Sequence, residues 1–137
     1  MREILFRGKR HDNGEWVYGS LIHIGDFCGI VKPHQDKPRD ITQIYPDLYT
    51  GRIDAFTTTV KPETVGQYTG LTDKSGEKIF EDDVLSLRTG RNHIVEFADG
   101  SFSMTGTAIL IKHADKFEIV GNIHDNPKLL GGDNNAE

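Results

Sequence analysis

VGQYTGLTDKSGEKIFEDDV, residues 65–84, decides between two kinds of protein. Its consecutive acids, Glu81, Asp82 and Asp83, have the composition of a catalytic or metal-binding loop, whereas its glycines and short apolar runs suit the scaffolding of a small β-domain. Adjacent residues of an extended chain point to opposite faces, so only Glu81 and Asp83 can share a ligand sphere. A hard cation needs more oxygens than two carboxylates bring, and the EF-hand spacing is absent. Acids at a turn also accept hydrogen bonds from main-chain N–H groups, and that structural role, just before a strand over 84–88, is the one expected here. Residues 65–71 then lead into a small barrel, 73–76 form a hairpin turn, and 81–83 make the corner before the next strand.

The rest of the chain carries the same punctuation. Asn13-Gly14, Ser75-Gly76, Thr89-Gly90 and Asp99-Gly100 are hairpin dipeptides, because a two-residue type I′ turn needs positive φ at both central positions. Strand-like runs lie between them at 15–22, 84–88, 92–97 and 101–105. Around Thr89-Gly90, Leu85 and Leu87 alternate with Val84, Ser86 and Arg88, and Val95 and Phe97 with Ile94 and Glu96, which predicts strands with one wet face. No long amphipathic helical pattern with caps occurs. IYPDLYTGRIDAF (44–56) is the best place for a helical turn or two, starting near Pro46 and Asp47 and stopped by Gly51. KPHQDKPRD (32–40) reads as an exposed loop, and GGDNNAE (131–137) as a disordered tail. Lys61-Pro62, after the β-branched run 57–60, marks a boundary. The expected organisation is an N-terminal β-rich lobe over 1–62, a small C-terminal β-barrel over 63–130, and little helix.

A chain of 137 residues can build its own core without staples. Its hydrophobic fraction of 36% contains no run near the ~20 apolar residues of a bilayer span, and MREILFRGKR is too short in apolar content for a signal peptide. A cytoplasmic protein is expected. The single Cys28 agrees, and is read as a small hydrophobe within a strand over 27–31. A net charge of −5 speaks against nucleic acid, whose nonspecific binding rests on clustered Lys and Arg. Arg2, Arg7, Lys9 and Arg10 are the exception. Alternation puts Arg7 and Lys9 on one face, and a solvated strand edge protected by its charges is the expected reading.

No catalytic constellation is legible. The six histidines, His11, His23, His34, His93, His113 and His124, form no HxxxH or HExxH pair, and one cysteine cannot complete a thiolate zinc site. There is no G-x-S-x-G elbow, no GxGxxG and no GK[ST]. No cofactor and no metal are expected. Trp16 and Tyr18 fall on one strand face, and Tyr68 sits between glycines; such aromatics serve as interface hot spots, stack bases, or simply cover a small core.

Three segments, REILFRGKRHDNGEWVYG (2–19), ETVGQYTGLTDKSGEKIFEDDVLSL (63–87) and FEIVGNIHDNPKLL (117–130), together resemble the YopX-like family of phage and prophage proteins. The motif VGQYTGL-D-x-x-G-x-x-I-[YF]-x-x-D-[IV] is specific to that family, and Val120 to Pro127 matches its closing signature. Where family members carry Gly-Asp, this chain has Asp82-Asp83, which leaves a tight turn without its glycine. The resemblance implies a mostly β-fold whose C-terminal part is similar to an SH3-type barrel, and a phage or prophage origin in a bacterium; it leaves the biochemical activity open. The expected function is that of a noncatalytic accessory protein that binds a host or phage protein, with self-association as a further possibility. The alternative is a nucleic-acid-binding module that uses Arg2, Arg7, Lys9 and Arg10 with Trp16 or Tyr68.

Overall fold

The computed structural model describes residues 2–31, 57–87, 91–105 and 111–130. The turn expected within 44–56, the loop at 32–40, the Thr89-Gly90 hairpin and the tail 131–137 lie outside the described residues. The protein is mainly β; the described residues form ten strands, and their helical segments are short 3₁₀ turns. Among the described residues no helix is long and apolar enough to cross a membrane. Contacts divide the chain into two units, Ile4–Val65 and Gly66–Glu137, the second also taking in Met1–Glu3.

In the first unit, β1 (Phe6–Lys9), β2 (Trp16–Ile24), β3 (Phe27–Val31) and β4 (Thr58–Thr59) form an antiparallel run. At Asn13-Gly14 the expected two-residue hairpin is corrected: only Gly14 takes positive φ, +74°, and the Arg10 N–H reaches the Glu15 carbonyl at 2.8 Å, so the chain reverses in a wider loop whose Asn13 side chain accepts a hydrogen bond from the Glu15 N–H at 2.9 Å. β3 occupies the range read from the sequence, and Cys28 is buried there. The sheet curls back on its first strand, with Arg10 bridging to Val60 and the Lys61 N–H donating to the Lys9 carbonyl at 2.9 Å. Thr64 locks this closure: its hydroxyl donates to the Lys61 carbonyl at 2.6 Å and accepts from the Lys9 N–H at 2.9 Å. Val17, Cys28, Ile30 and Val60 form the core, with Phe6, Leu21 and Val65 packed against it. The curl brings backbones so close that a Cβ on Gly19 would collide with the Val31 carbonyl.

In the second unit, β5 (Gly66–Thr72) and β6 (Lys78–Phe80) pair as a hairpin. β7 (Asp83–Ser86), β8 (Asn92–Ala98), β9 (Ser101–Met104) and β10 (Glu118–Asn122) form an antiparallel sheet in the order β10-β7-β8-β9. Among the described residues this sheet is open, with β10 and β9 at its margins, where a closed barrel was expected. Ile79, Leu85, Val95, Met104, Ala114 and Phe117 make the core. The predicted alternation holds at Val95 and fails at Phe97, which is 55% exposed. Phe97 sits near the hairpin tip, past the reach of the core, and packs edge-on against Phe102 at 5.0 Å. In β7, Asp83, Val84 and Leu85 are all buried, so both faces of that strand are covered rather than one.

Asp73 holds the turn between β5 and β6 and ties it to β10. One carboxylate oxygen accepts from the N–H groups of Ser75 at 2.8 Å and Glu77 at 3.0 Å; the other accepts from Ile119 at 3.0 Å. Gly76, at φ +87°, returns its N–H to the Asp73 carbonyl. Burial pushes the Asp73 pKa up, but the N–H groups of Ile119, Glu77, Ser75 and Gly76 outweigh it and hold the pKa below the ordinary aspartate value. A depressed folded-state pKa stabilises the fold above the unfolded value of about 3.9, and that contribution is lost as pH falls through the folded value. Asp73→Ala should therefore cost about 2–3 kcal/mol at neutral pH and flatten the loss of stability below about pH 4, read from urea midpoints across a pH series.

Candidate functional site

The β1–β2 register sets Arg7 opposite Tyr18 and Lys9 opposite Trp16. Directly opposed residues of an antiparallel pair emerge on the same side, so these residues share one face. Phe6, Gly8, Val17 and Gly19 take the other, where Val17 and Phe6 enter the core and a Cβ on Gly8 would press on Val60 at 3.0 Å. The outer face is built around Trp16. The Arg7 guanidinium lies 4.6 Å from the centre of the indole and the Lys9 ammonium 5.6 Å from it. A cation over an aromatic face is attracted by the ring quadrupole, more strongly as water is excluded, and Arg7 is only 6% exposed. The expected solvated reading is thus corrected at Arg7, which is covered and not in water. Tyr18, beside this cluster, is 44% exposed.

The remaining cations lie elsewhere. Arg10 grips Asp12 with two hydrogen bonds, Nε to Oδ1 at 2.9 Å and Nη2 to Oδ2 at 2.8 Å. That contact raises the Arg10 pKa and lowers that of Asp12. Arg10 and Asp12 also line a shallow polar hollow of about 330 Å³ with His11, Thr57, Thr58 and Thr59. Arg2 belongs to the other unit and is exposed. Of the three basic residues in the first unit, Arg7 and Lys9 share the Trp16 face and Arg10 turns to Asp12. Tyr68 also lies in the second unit, 9% exposed, with its ring 5.6 Å from Phe80 and the Lys78 ammonium 5.5 Å from its centre. It is a wall of the fold, not a surface aromatic.

The acidic corner is structural in each of its members. Glu81 accepts from the Gln67 N–H at 2.8 Å, and Asp83, buried, accepts from the Phe80 N–H at 2.8 Å. They serve different strands, and among the described residues no group of three or more His, Cys, Asp or Glu is placed to hold a metal ion. Asp82 makes the tight turn itself, at φ +72°, with its N–H on the Val95 carbonyl and its carbonyl receiving the Ile123 N–H. Its carboxylate meets His124 Nε2 at 2.9 Å. This pair joins positions 42 apart, and nothing local in the sequence announces it.

The fold and this face define a mainly β protein with a clustered cation–aromatic surface on its first hairpin. The family model of the YopX protein matches residues 5–131, and the chain belongs to that family. It is also similar to the crystal structure of protein EF1440 from Enterococcus faecalis, with a TM-score of 0.58, 21% sequence identity, and coverage of 96% of this chain and 100% of that one. At that identity the likeness is one of fold. No curated protein matches this chain in sequence.

Asp aspires to the left-handed region more readily than most residues, and glycine reaches it freely. Asp82→Gly should exchange the His124 contact for backbone ease and stay within about 1 kcal/mol of the parent, while Asp82→Ala loses both and falls about 1–2 kcal/mol further. Urea unfolding of the two variants side by side checks the order.

Proposed function

We propose that this chain is a phage or prophage accessory protein that works as a noncatalytic protein-binding module in the bacterial cytoplasm, and that the Trp16–Tyr18 face of the first hairpin is its contact surface. The observation that carries the reading is Trp16 held against Arg7 and Lys9 with Tyr18 exposed beside it. Trp, Tyr and Arg are the side chains that dominate protein interfaces, because they bring large area at low conformational cost. Here the rings are pre-ordered by the sheet and by the cations, which reduces what binding must immobilise. The partner is a host or phage protein.

The same face bears on the nucleic-acid alternative. Phosphate binding draws on cations that can release counterions, but Arg10 is engaged by Asp12 and Arg7 is buried beside Trp16. With a net charge of −5, the arrangement favours a protein partner.

Crosslinking and mass spectrometry on the tagged chain in its own host should recover a stoichiometric protein partner. Trp16→Ala should weaken it roughly 30-fold, and Tyr18→Ala should weaken it while leaving the unfolding midpoint unchanged. Recovery of the chain without a partner protein, or of a partner indifferent to both substitutions, would overturn the reading; binding to DNA or RNA that falls steeply with salt would replace it with the alternative.

A further inference from the structure

We propose that β9 is a self-association edge, through which two copies of this chain pair antiparallel about a two-fold axis passing at Phe102.

The two margins of the four-stranded sheet are built differently. β10 is guarded: its register shifts between Ile119 and Gly121, the Ile119 N–H is taken by Asp73, and the Phe117 carbonyl just before it receives the Lys74 N–H. A bulge and a covering loop are the usual means of blunting an edge. β9 has neither. Its sequence, SFSM, carries no charge and no proline, and it pairs with β8 in unbroken register from Val95–Met104 to Ala98–Ser101. The hairpin before it is as tight as a hairpin can be, with Asp99 at φ +53° and Gly100 at φ +82°. An uncharged edge strand in unbroken register is a template for another strand.

Hydrogen-bond parity then selects the register. The Thr105 N–H donates to the Ile94 carbonyl, so Thr105, Ser103 and Ser101 direct their main-chain groups toward β8. Phe102 and Met104 direct theirs outward. A two-fold axis perpendicular to a sheet preserves its faces, so it must pass through a residue pair and not between residues. Centred on Phe102, the pairing lets the two copies exchange both N–H···O=C bonds at that residue. Phe97 lies directly opposite Phe102 on β8 and is 55% exposed, so the same register draws out a row of rings running Phe97, Phe102, then Phe102 and Phe97 of the second copy. Cross-strand aromatic pairs of this kind stabilise sheets. A second copy supplies the matching rings and the matching parity at once, which is why it is the occupant this edge fits.

Sedimentation of the full chain over a concentration series, with oxidation of a Phe102→Cys variant, tests the proposal. Opposed residues of a hydrogen-bonded antiparallel pair lie about 5.5 Å apart at Cα, within disulfide reach. The parent should move to twice the chain mass with concentration, Phe102→Cys should cross-link to a dimer on oxidation, and Phe102→Lys should remain a monomer. Ser75→Cys, exposed in the β5–β6 turn, and the parent with its buried Cys28 should give no cross-link. A parent that stays monomeric at every concentration overturns the proposal and leaves the edge to a different chain. So does a dimer that persists in Phe102→Lys, or one in which Phe102→Cys resists oxidation. The cysteine variant keeps the test decisive should the lysine variant fail to fold.

Discussion

One buried carboxylate organises the second unit. Asp73 is placed where main-chain N–H groups converge, some from its own turn and one from β10, so that a charge which would be costly to bury is instead the acceptor those donors need. Remove the charge and two separate things fail together: the turn loses its internal bonds, and β10 loses its tie to the β5–β6 hairpin. The spacing of Asp73, Gly76, Ile79 and Asp83 follows from this arrangement. Gly76 must turn left-handed beneath the carboxylate, Ile79 must fill the core below, and Asp83 must receive the Phe80 N–H as the chain reverses.

In the first unit the governing constraint is steric. Gly8 makes room for the Val60 side chain and Gly19 for the Val31 backbone on the core side, and the alternation of β1 and β2 then leaves the large and charged side chains no place but the opposite face. The cation–aromatic cluster is in that sense a by-product of close packing beneath it. Arg7 is covered not because the strand is an edge but because Trp16, across the ladder, gives its guanidinium a flat partner.

What the sequence revealed was whatever local chemistry decides. The β3 range, the Asp99-Gly100 turn, the core role of Cys28 and the acceptor role of the acids all follow from short-range rules about φ, alternation and hydrogen bonding. Family resemblance marked the same residues, as their spacing is structural. What was hidden depended on distant neighbours. Alternation cannot say where a core ends, and so it placed Phe97 inside. It cannot say which side of a paired strand is covered, and so it left Arg7 in solvent. The meeting of Asp82 with His124 has no sequence signal at all, because the two approach only once β7 and β10 have paired. Among the described residues the barrel expected of the C-terminal part is an open sheet for a related reason: closure depends on how far strands curl, and strand-length patterns do not encode it.

The lone thiol has a use that none of this anticipates. Cys28 lies in the core of the first unit, and burial pushes its pKa up, so the native chain presents almost no thiolate to solvent. A thiol reagent can reach it only when β3 parts from its neighbours. The rate at which the protein is labelled under native conditions is thus a clock for the opening of that unit alone, already wired into the chain and needing no introduced probe.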